Sequence, residues 1–356
     1  MTLFYLRASA RHCVISICQL LIINCLITEN SMFPVQPNTA LHSLLSKQSL
    51  SVRLKQLARG VGALLLTSAA LTTSANAAPS TAAAPIGIDQ LPAAIRDNTQ
   101  IAISNYPLFL LSEAVTKGAP SGKLLLDPGD VGHHGSLSPS DMKTVQDSRY
   151  VIWFGSQLES NLAKPLAKTH NSISLFGLKA FHREPLRDVK AEPIEGTLDP
   201  HIWLDPNNAK AITRALGAIY SRANPEYKAI YAANVQRFAQ QMDSAVQQAF
   251  ISSKSPRPYW AYHDAFHYIE PALNLRLAGA LTSDHHLPPK ASQFHWLKQN
   301  RPKPTMCMLL QADSNQGVLS KLKPINGTVQ QEDMSGATDF ISGWQALAKN
   351  INTCIG

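Results

Sequence analysis

Ser138-Pro139-Ser140-Asp141, followed by Tyr150-Val151-Ile152-Trp153-Phe154, decides the fold. The first stretch is a helix opening, with proline at the first position and an acid in the first turn. The second is continuously β-branched and aromatic, the composition of a buried strand. Toward the N-terminus, Lys123–Leu126 is strand-like, Leu108–Val115 carries helical spacing and Ile101–Ser104 is a short apolar run. Strand, helix, strand, helix, strand predicts a parallel sheet covered by helices.

Toward the C-terminus, Asp205-Pro206 opens one helix and Asn224-Pro225 a longer one. In the latter Tyr227, Ile230, Val235, Phe238, Met242, Val246 and Phe250 recur at steps near three and four. That stripe predicts one apolar face over about 28 residues, or about 42 Å at ~1.5 Å per residue. Such a helix is either a stiff strut between two lobes or a plain core helix of one domain. Periodicity alone leaves both open. After Pro258 the alternation resumes: strand-like Tyr259–Tyr262, helical His263–Leu273, strand-like Leu275–Leu281, helical Ala291–Gln299, strand-like Thr305–Leu310 and helical Ser342–Ile351. The expected class is α/β, with an N-terminal lobe over 93–223, a linking helix over 224–252 and a C-terminal lobe over 253–356.

The N-terminal part reads as a leader rather than folded protein. Arg53, Lys55 and Arg59 precede an apolar run from Val61 to Leu71, and Ala75-Asn76-Ala77 follows. A basic flank, a short apolar core and an A-x-A step are the parts of a secretory signal, so cleavage is expected after Ala77. The run falls short of the roughly 20 residues a permanent membrane helix needs. Ala78 rather than a cysteine follows the cut, so no lipid anchor is expected. A second run, Val14 to Ile27, belongs either to an unusual leader or to sequence before a true start at Met32. The second explanation is favoured because it leaves a single apolar core. Residues 78–92, rich in Ala, Pro and Ser, are expected to be a loose tail. The mature chain is expected free in the periplasm, without stable membrane insertion and as a monomer.

Removing residues 1–77 takes away six bases and one acid, so the net charge falls from +8 to +3. That is no footprint for nucleic acid. Only Cys307 and Cys354 survive processing, and an even pair in an exported chain reads as a disulfide. By chain entropy such a bridge contributes about 4 kcal/mol. A two-cysteine metal site is the weaker alternative, since no C-x-x-C spacing exists.

Ten of the twelve histidines lie after Ala77. Imidazole is the commonest metal ligand, yet most histidines in proteins are surface residues or satisfied ones. Position separates them. His133 sits in a Gly-flanked loop after one strand, His201 in the turn Leu198-Asp199-Pro200-His201-Ile202-Trp203, and His263 closes another strand. Open α/β sheets bind ligands at the carboxyl ends of their strands.

The resemblance to a known family rests on three motifs. Gly135-Ser136-Leu137-Ser138-Pro139-Ser140-Asp141 after His133 resembles the PHDYSLRPSD segment of the zinc substrate-binding proteins of ABC transporters (ZnuA-like, metal-binding cluster A-I). Asp199-Pro200-His201-Ile202-Trp203-Leu204-Asp205-Pro206 is similar to that family's DPHxWLDP, and Tyr262-His263-Asp264-Ala265-Phe266 resembles its FHDAY. Cys307 and Cys354 fall where zinc-specific members carry their disulfide. The resemblance implies two Rossmann-like lobes with mostly parallel sheets, joined by a long rigid helix, and a metal site in the cleft between them. It implies His133, His201 and His263 as imidazole ligands of Zn²⁺, with His134 a neighbour able to replace His133. It also implies a non-enzymatic receptor that delivers zinc to an ABC transporter permease.

Departures from the family pattern bear on the fourth ligand. Gln311-Ala312-Asp313-Ser314 stands where EPQF is usual, and Asp333-Met334-Ser335-Gly336-Ala337 stands for a DPLGT-like stretch. Asp333 is therefore the expected carboxylate, with Glu332 or water as alternatives. The family's long histidine-rich loop is missing, which leaves His170 and His182 as expected surface residues. Asp284-His285-His286 with His295 forms either a second zinc site or an exposed loop before Pro288-Pro289.

Three imidazoles and an oxygen at about 2.0–2.2 Å suit tetrahedral zinc, whereas manganese prefers more oxygen. They also describe catalytic zinc. His263-Asp264-Ala265-Phe266-His267 mimics H-E-x-x-H, with Asp264 as base in a zinc-dependent hydrolase. Against it, Asp is a methylene short and the motif needs a further downstream ligand. A metal-binding adhesin is the third reading, and it would keep the same site.

Overall fold

The computed structural model describes residues 100–356 apart from 131–134, 167–168, 284–287, 312–313 and 315. The leader, Met32 and the 78–92 tail lie outside the described residues, as do His133, His134, Asp284, His285 and His286.

Among the described residues, two four-stranded sheets carry the fold. The first lobe holds β1 (Ile101–Ile103), β2 (Lys123–Leu124), β3 (Tyr150–Trp153) and β4 (Ser172–Ser174), with helices α1 (Tyr106–Thr116), α2 (Pro139–Asp147) and α3 (Ser160–Leu166) between them. Its strand order is β2-β1-β3-β4, every pair parallel. Ser138 caps α2 in a capping box, its hydroxyl accepting from Asp141 N while the Asp141 carboxylate accepts from Ser138 N. Local sequence thus fixes that helix start before any packing does.

The chain then crosses through α4 (Pro206–Ala223) and α5 (Lys228–Ala249) into the second lobe. There β5 (Arg257–His263), β6 (Leu275–Thr282), β7 (Met306–Leu310) and β8 (Ile325–Val329) pair in the order β6-β5-β7-β8, again all parallel. Its helices are α6 (Glu270–Leu273), α7 (Ala291–Gln299), α8 (Gln316–Leu319) and α9 (Phe340–Ile355). Each order reverses direction beside its first strand, at β1/β3 and at β5/β7. These are the switch points where open sheets of this kind leave a crevice.

Two sequence expectations shift, and a further strand appears where none is expected. The long helix is a 3-10 turn, Pro225–Tyr227, followed by the 22-residue α5, which is about 33 Å at ~1.5 Å per residue. Its buried face is Tyr231, Asn234, Phe238, Met242 and Ala245, while Ile230 and Phe250 of the expected stripe are 37 % and 48 % exposed. Asn234 is the reason the apolar pattern misplaces that face. Its amide donates to Val115 O at 2.8 Å and Lys117 O at 2.9 Å, satisfying carbonyls left open at the end of α1. The helix expected over His263–Leu273 is also shorter. β5 runs through His263, a 3-10 turn spans His267–Ile269, and α6 begins only at Glu270. Pro271 sits in its first turn, where a missing N–H costs nothing. The further strand, β8, which carries no periodic signal, completes the second sheet.

α5 packs against α1 and α4 of the first lobe and α6 and α9 of the second. One continuous buried cluster runs from Ile101 and Ile103 through Trp203 and Phe238 to Tyr259 and Leu277, so both sheets share a core. Cys307 in β7 is bonded to Cys354 in α9, with Cα atoms 5.4 Å apart. Of the described residues, no helix is long and apolar enough to cross a membrane.

Candidate metal centre

Asp199-Pro200-His201 leads into a 3-10 turn at Ile202–Leu204, and Asp205 then caps α4 by accepting from Asn207 N at 2.7 Å. Ile202, Trp203 and Leu204 are fully buried, which pins this turn into the core and leaves His201 only 7 % exposed. His263 is placed differently, as the last residue of β5, at the carboxyl end beside the switch point. The two imidazole centroids lie 5.8 Å apart.

Glu332 completes the group. Its carboxylate and one nitrogen from each of His201 and His263 all lie within 4.8 Å of one another. Tetrahedral bonds of about 2.1 Å put donors roughly 3.4 Å apart, so small rotations bring these three onto one ion. Trp203 links the two lobes here, its indole N–H donating to Glu332 O at 2.8 Å. A ring in the His201 turn thereby fixes the backbone that carries the carboxylate.

Asp333, the expected carboxylate, is not in that group. Its oxygen accepts from Ser335 N at 3.0 Å, closing a local turn, and it lines a small cavity with Asn105, Tyr106 and Trp203. Burial pushes the Asp333 carboxyl up, against the pull of Ser335. Glu332 and Asp333 are neighbours, so only one of the two side chains faces the histidines. Among the described residues it is the longer one.

Asp199 orients His201. Its Oδ1 accepts from the ring at Nδ1, 2.7 Å away, and from His201 N at 3.0 Å. That fixes the tautomer and leaves Nε2 for a metal, the arrangement seen at imidazole–metal sites. Burial pushes the His201 imidazole down, but Asp199, helped by Glu332 and Asp264, outweighs it and the net shift is upward.

The remaining candidates lie elsewhere. His182 is half exposed, with Nε2 3.0 Å from Glu184 and Nδ1 3.3 Å from Asp205. His170 and His295 are exposed. His267 does not join the three-residue group, and its Nε2 lies 3.9 Å from Glu184. Asp264 is gripped by Arg187, with Nε and Nη2 on its two oxygens at 2.7 and 2.8 Å, and is 3 % exposed. The Arg187 fork occupies both Asp264 oxygens, and His267 stands outside the three-residue group, so the His263–His267 stretch does not converge as an H-E-x-x-H site does. The sequence presents Glu332 only as an alternative and does not single out Arg187. Neither stands in a local pattern, because each acts through tertiary contact.

A family model described as zinc-uptake complex component A, periplasmic (ZnuA), matches residues 101–332. A high-affinity zinc uptake system protein ZnuA from Brucella abortus is 24 % identical over 235 residues, covering 54 % of this chain and 70 % of that one. The protein of the same description from Haemophilus ducreyi is 25 % identical over 299 residues, covering 72 % of this chain and 94 % of its own length. Among solved structures, a Zn(II)-bound mutant variant of AdcAII from Streptococcus pneumoniae superposes with a TM-score of 0.61 at 17 % identity, over 73 % of this chain and 99 % of that one. A ZnuA crystal structure gives 0.59 at 16 % identity, over 73 % and 100 %. These structural likenesses carry the two-lobe α/β fold.

Proposed function

The chain belongs to the periplasmic zinc-uptake component A family, and from that premise we propose that it is a zinc receptor that captures Zn²⁺ in the cleft and delivers it to an ABC-type importer. The observation that carries this reading is the convergence of His201, His263 and Glu332 from three distant parts of the chain. Imidazole nitrogen with one carboxylate is a zinc donor set. With His133 as third imidazole, the loaded centre holds a net charge near +1. Copper would bind such donors more tightly, so availability rather than affinity excludes it.

The proposed mechanism follows from packing. The shared core and α5 leave little room for hinge motion, so capture proceeds by small movements of the side chains of His201, His263 and Glu332. Docking on the permease then distorts the cleft and releases the ion. Delivery rather than catalysis is supported by Asp264, whose two oxygens are both occupied.

The test is metal analysis of the purified mature protein with calorimetric titration of zinc and manganese. One zinc per chain, bound far more tightly than manganese and retained in His267→Ala, is the expected result. Equal affinity for manganese, or loss of zinc in His267→Ala, overturns the proposal.

A further inference from the structure

Between the 3-10 turn Leu175–Gly177 and His201 the chain forms a hairpin-shaped strap outside both sheets. Asp199 N donates to Glu184 O, Ile194 N to Leu186 O and Asp188 N to Glu192 O, each at 2.8 Å. Its base is fastened to the first lobe, where His182 N donates to Asn208 Oδ1 at 2.8 Å and Asn208 Nδ2 to His182 O at 2.9 Å. Its tip lies on the second lobe, where Ala280 N of β6 donates to Val189 O at 3.0 Å. Gly279 next to it has φ +138°, and a Cβ there would meet the Leu297 and Trp296 side chains at 2.6 Å and press on the same carbonyl at 3.2 Å.

The strongest contact is behind the tip. Arg187, 6 % exposed, grips Asp264 with two nitrogens and places Nη2 2.8 Å from Glu270 Oε1. Glu270 in turn accepts from Tyr259 Oη at 2.9 Å and Leu277 N at 3.0 Å, so the cluster is built into β5 and β6. Asp264 directly follows His263, and the strap ends in Asp199 and His201. Tyr268 ties this end too, its hydroxyl accepting from Glu184 N at 2.8 Å and donating to Asp199 O at 3.1 Å.

We propose that residues 184–199 are a second tie between the lobes, with Arg187 and Tyr268 as positioning residues that hold His263 against His201 and so slow the departure of the bound ion. A guanidinium fork meeting both carboxylate oxygens fixes direction as well as distance, which a single-point ammonium does not. Because the pair is buried, parting it strands carboxylates away from water, so the tie resists opening. The inference rests on the zinc reading but concerns residues that touch no metal.

The test is the zinc dissociation rate, read by stopped flow into excess chelator, for full-length mature native protein, Arg187→Lys and Tyr268→Phe. Arg187→Lys keeps the buried positive charge and loses the fork. Asp339→Ala, which removes the α9 N-cap bond to Ser342 N, serves as a destabilised control. Dissociation is expected to quicken about tenfold in Arg187→Lys, and by a smaller factor in Tyr268→Phe, with association within about twofold of native. Asp339→Ala is expected to keep the native rate despite a lower Tm. Rates within about twofold of native in both strap variants, or an equal rise in the control, overturn the tie. If Arg187→Lys does not fold, Tyr268→Phe decides by the same criterion. A native protein that takes up no zinc instead overturns the receptor reading itself.

Discussion

Replacing Asp199 separates the orientation of His201 from its coordination. The carboxylate touches no metal, yet its Oδ1 takes both the ring at 2.7 Å and the His201 backbone N–H at 3.0 Å. Asp199→Ala removes both bonds, freeing the ring to rotate and to change tautomer. Loss of such an outer partner weakens metal binding about 10–100-fold, or roughly 1.4–2.8 kcal/mol. Asp199→Asn keeps an oxygen in place but loses the charge, so its loss belongs at the lower end, about tenfold. The pH dependence has a definite sign. Asp199 is what lifts the His201 proton affinity above the ordinary imidazole range, so protons compete with zinc harder in the native protein. The gap between native and Asp199→Ala should therefore narrow as pH falls from about 7.5 to about 5.5, across the imidazole range. Competition against a chromophoric chelator at several pH values reads both effects. Affinity within about twofold of native at neutral pH, or a gap that widens in acid, refutes the orienting role.

Three further outcomes follow from the same contacts. Glu332→Gln should weaken zinc more than about tenfold while Asp333→Asn stays within a few-fold, measured by the same competition; the reverse order would return the fourth ligand to Asp333. Glu159 is wholly buried and its carboxyl is pushed up to about 7 by burial, against the pull of the donors around it, Asn105 and the N–H groups of Phe154 and Gly155 among them. The unfolded chain gives up this proton near the ordinary carboxyl value while the folded chain keeps it, so this group's stability contribution is full in acid and falls by about 3 kcal/mol on raising pH toward 7. Urea unfolding of Glu159→Gln should lack that component, and an unchanged pH profile sinks the claim. Replacing Cys307 and Cys354 together by serine should cost about 2–5 kcal/mol in urea unfolding without changing zinc stoichiometry; loss of zinc would implicate the cysteines in the site.

The parts of the fold legible in sequence are those whose cause is local. Ser138-Pro139-Ser140-Asp141 fixes α2 by its own capping box, and β3 and β7 announce themselves by composition. The apolar pattern misplaces the α5 face because Asn234, a polar residue, is buried to finish another helix. It overestimates the helix after His263 because Asp264 belongs to an ion cluster completed 77 residues away by Arg187. In the site, His201 and His263 are singled out in sequence by the two family-like motifs that contain them, and the structure brings them together. Glu332 is only an alternative in sequence because its direction is set by the Asp333–Ser335 turn and by the Trp203 bond to its backbone. Such contacts leave no mark on spacing.

Anomalous diffraction at the zinc edge from crystals of the zinc-loaded mature protein tests the central claim most directly. A single peak about 2.0–2.2 Å from one nitrogen of each of His201 and His263 and from a Glu332 oxygen is the expected result, with His133 as the fourth donor. A peak that leaves His201 or His263 out of coordination contradicts it.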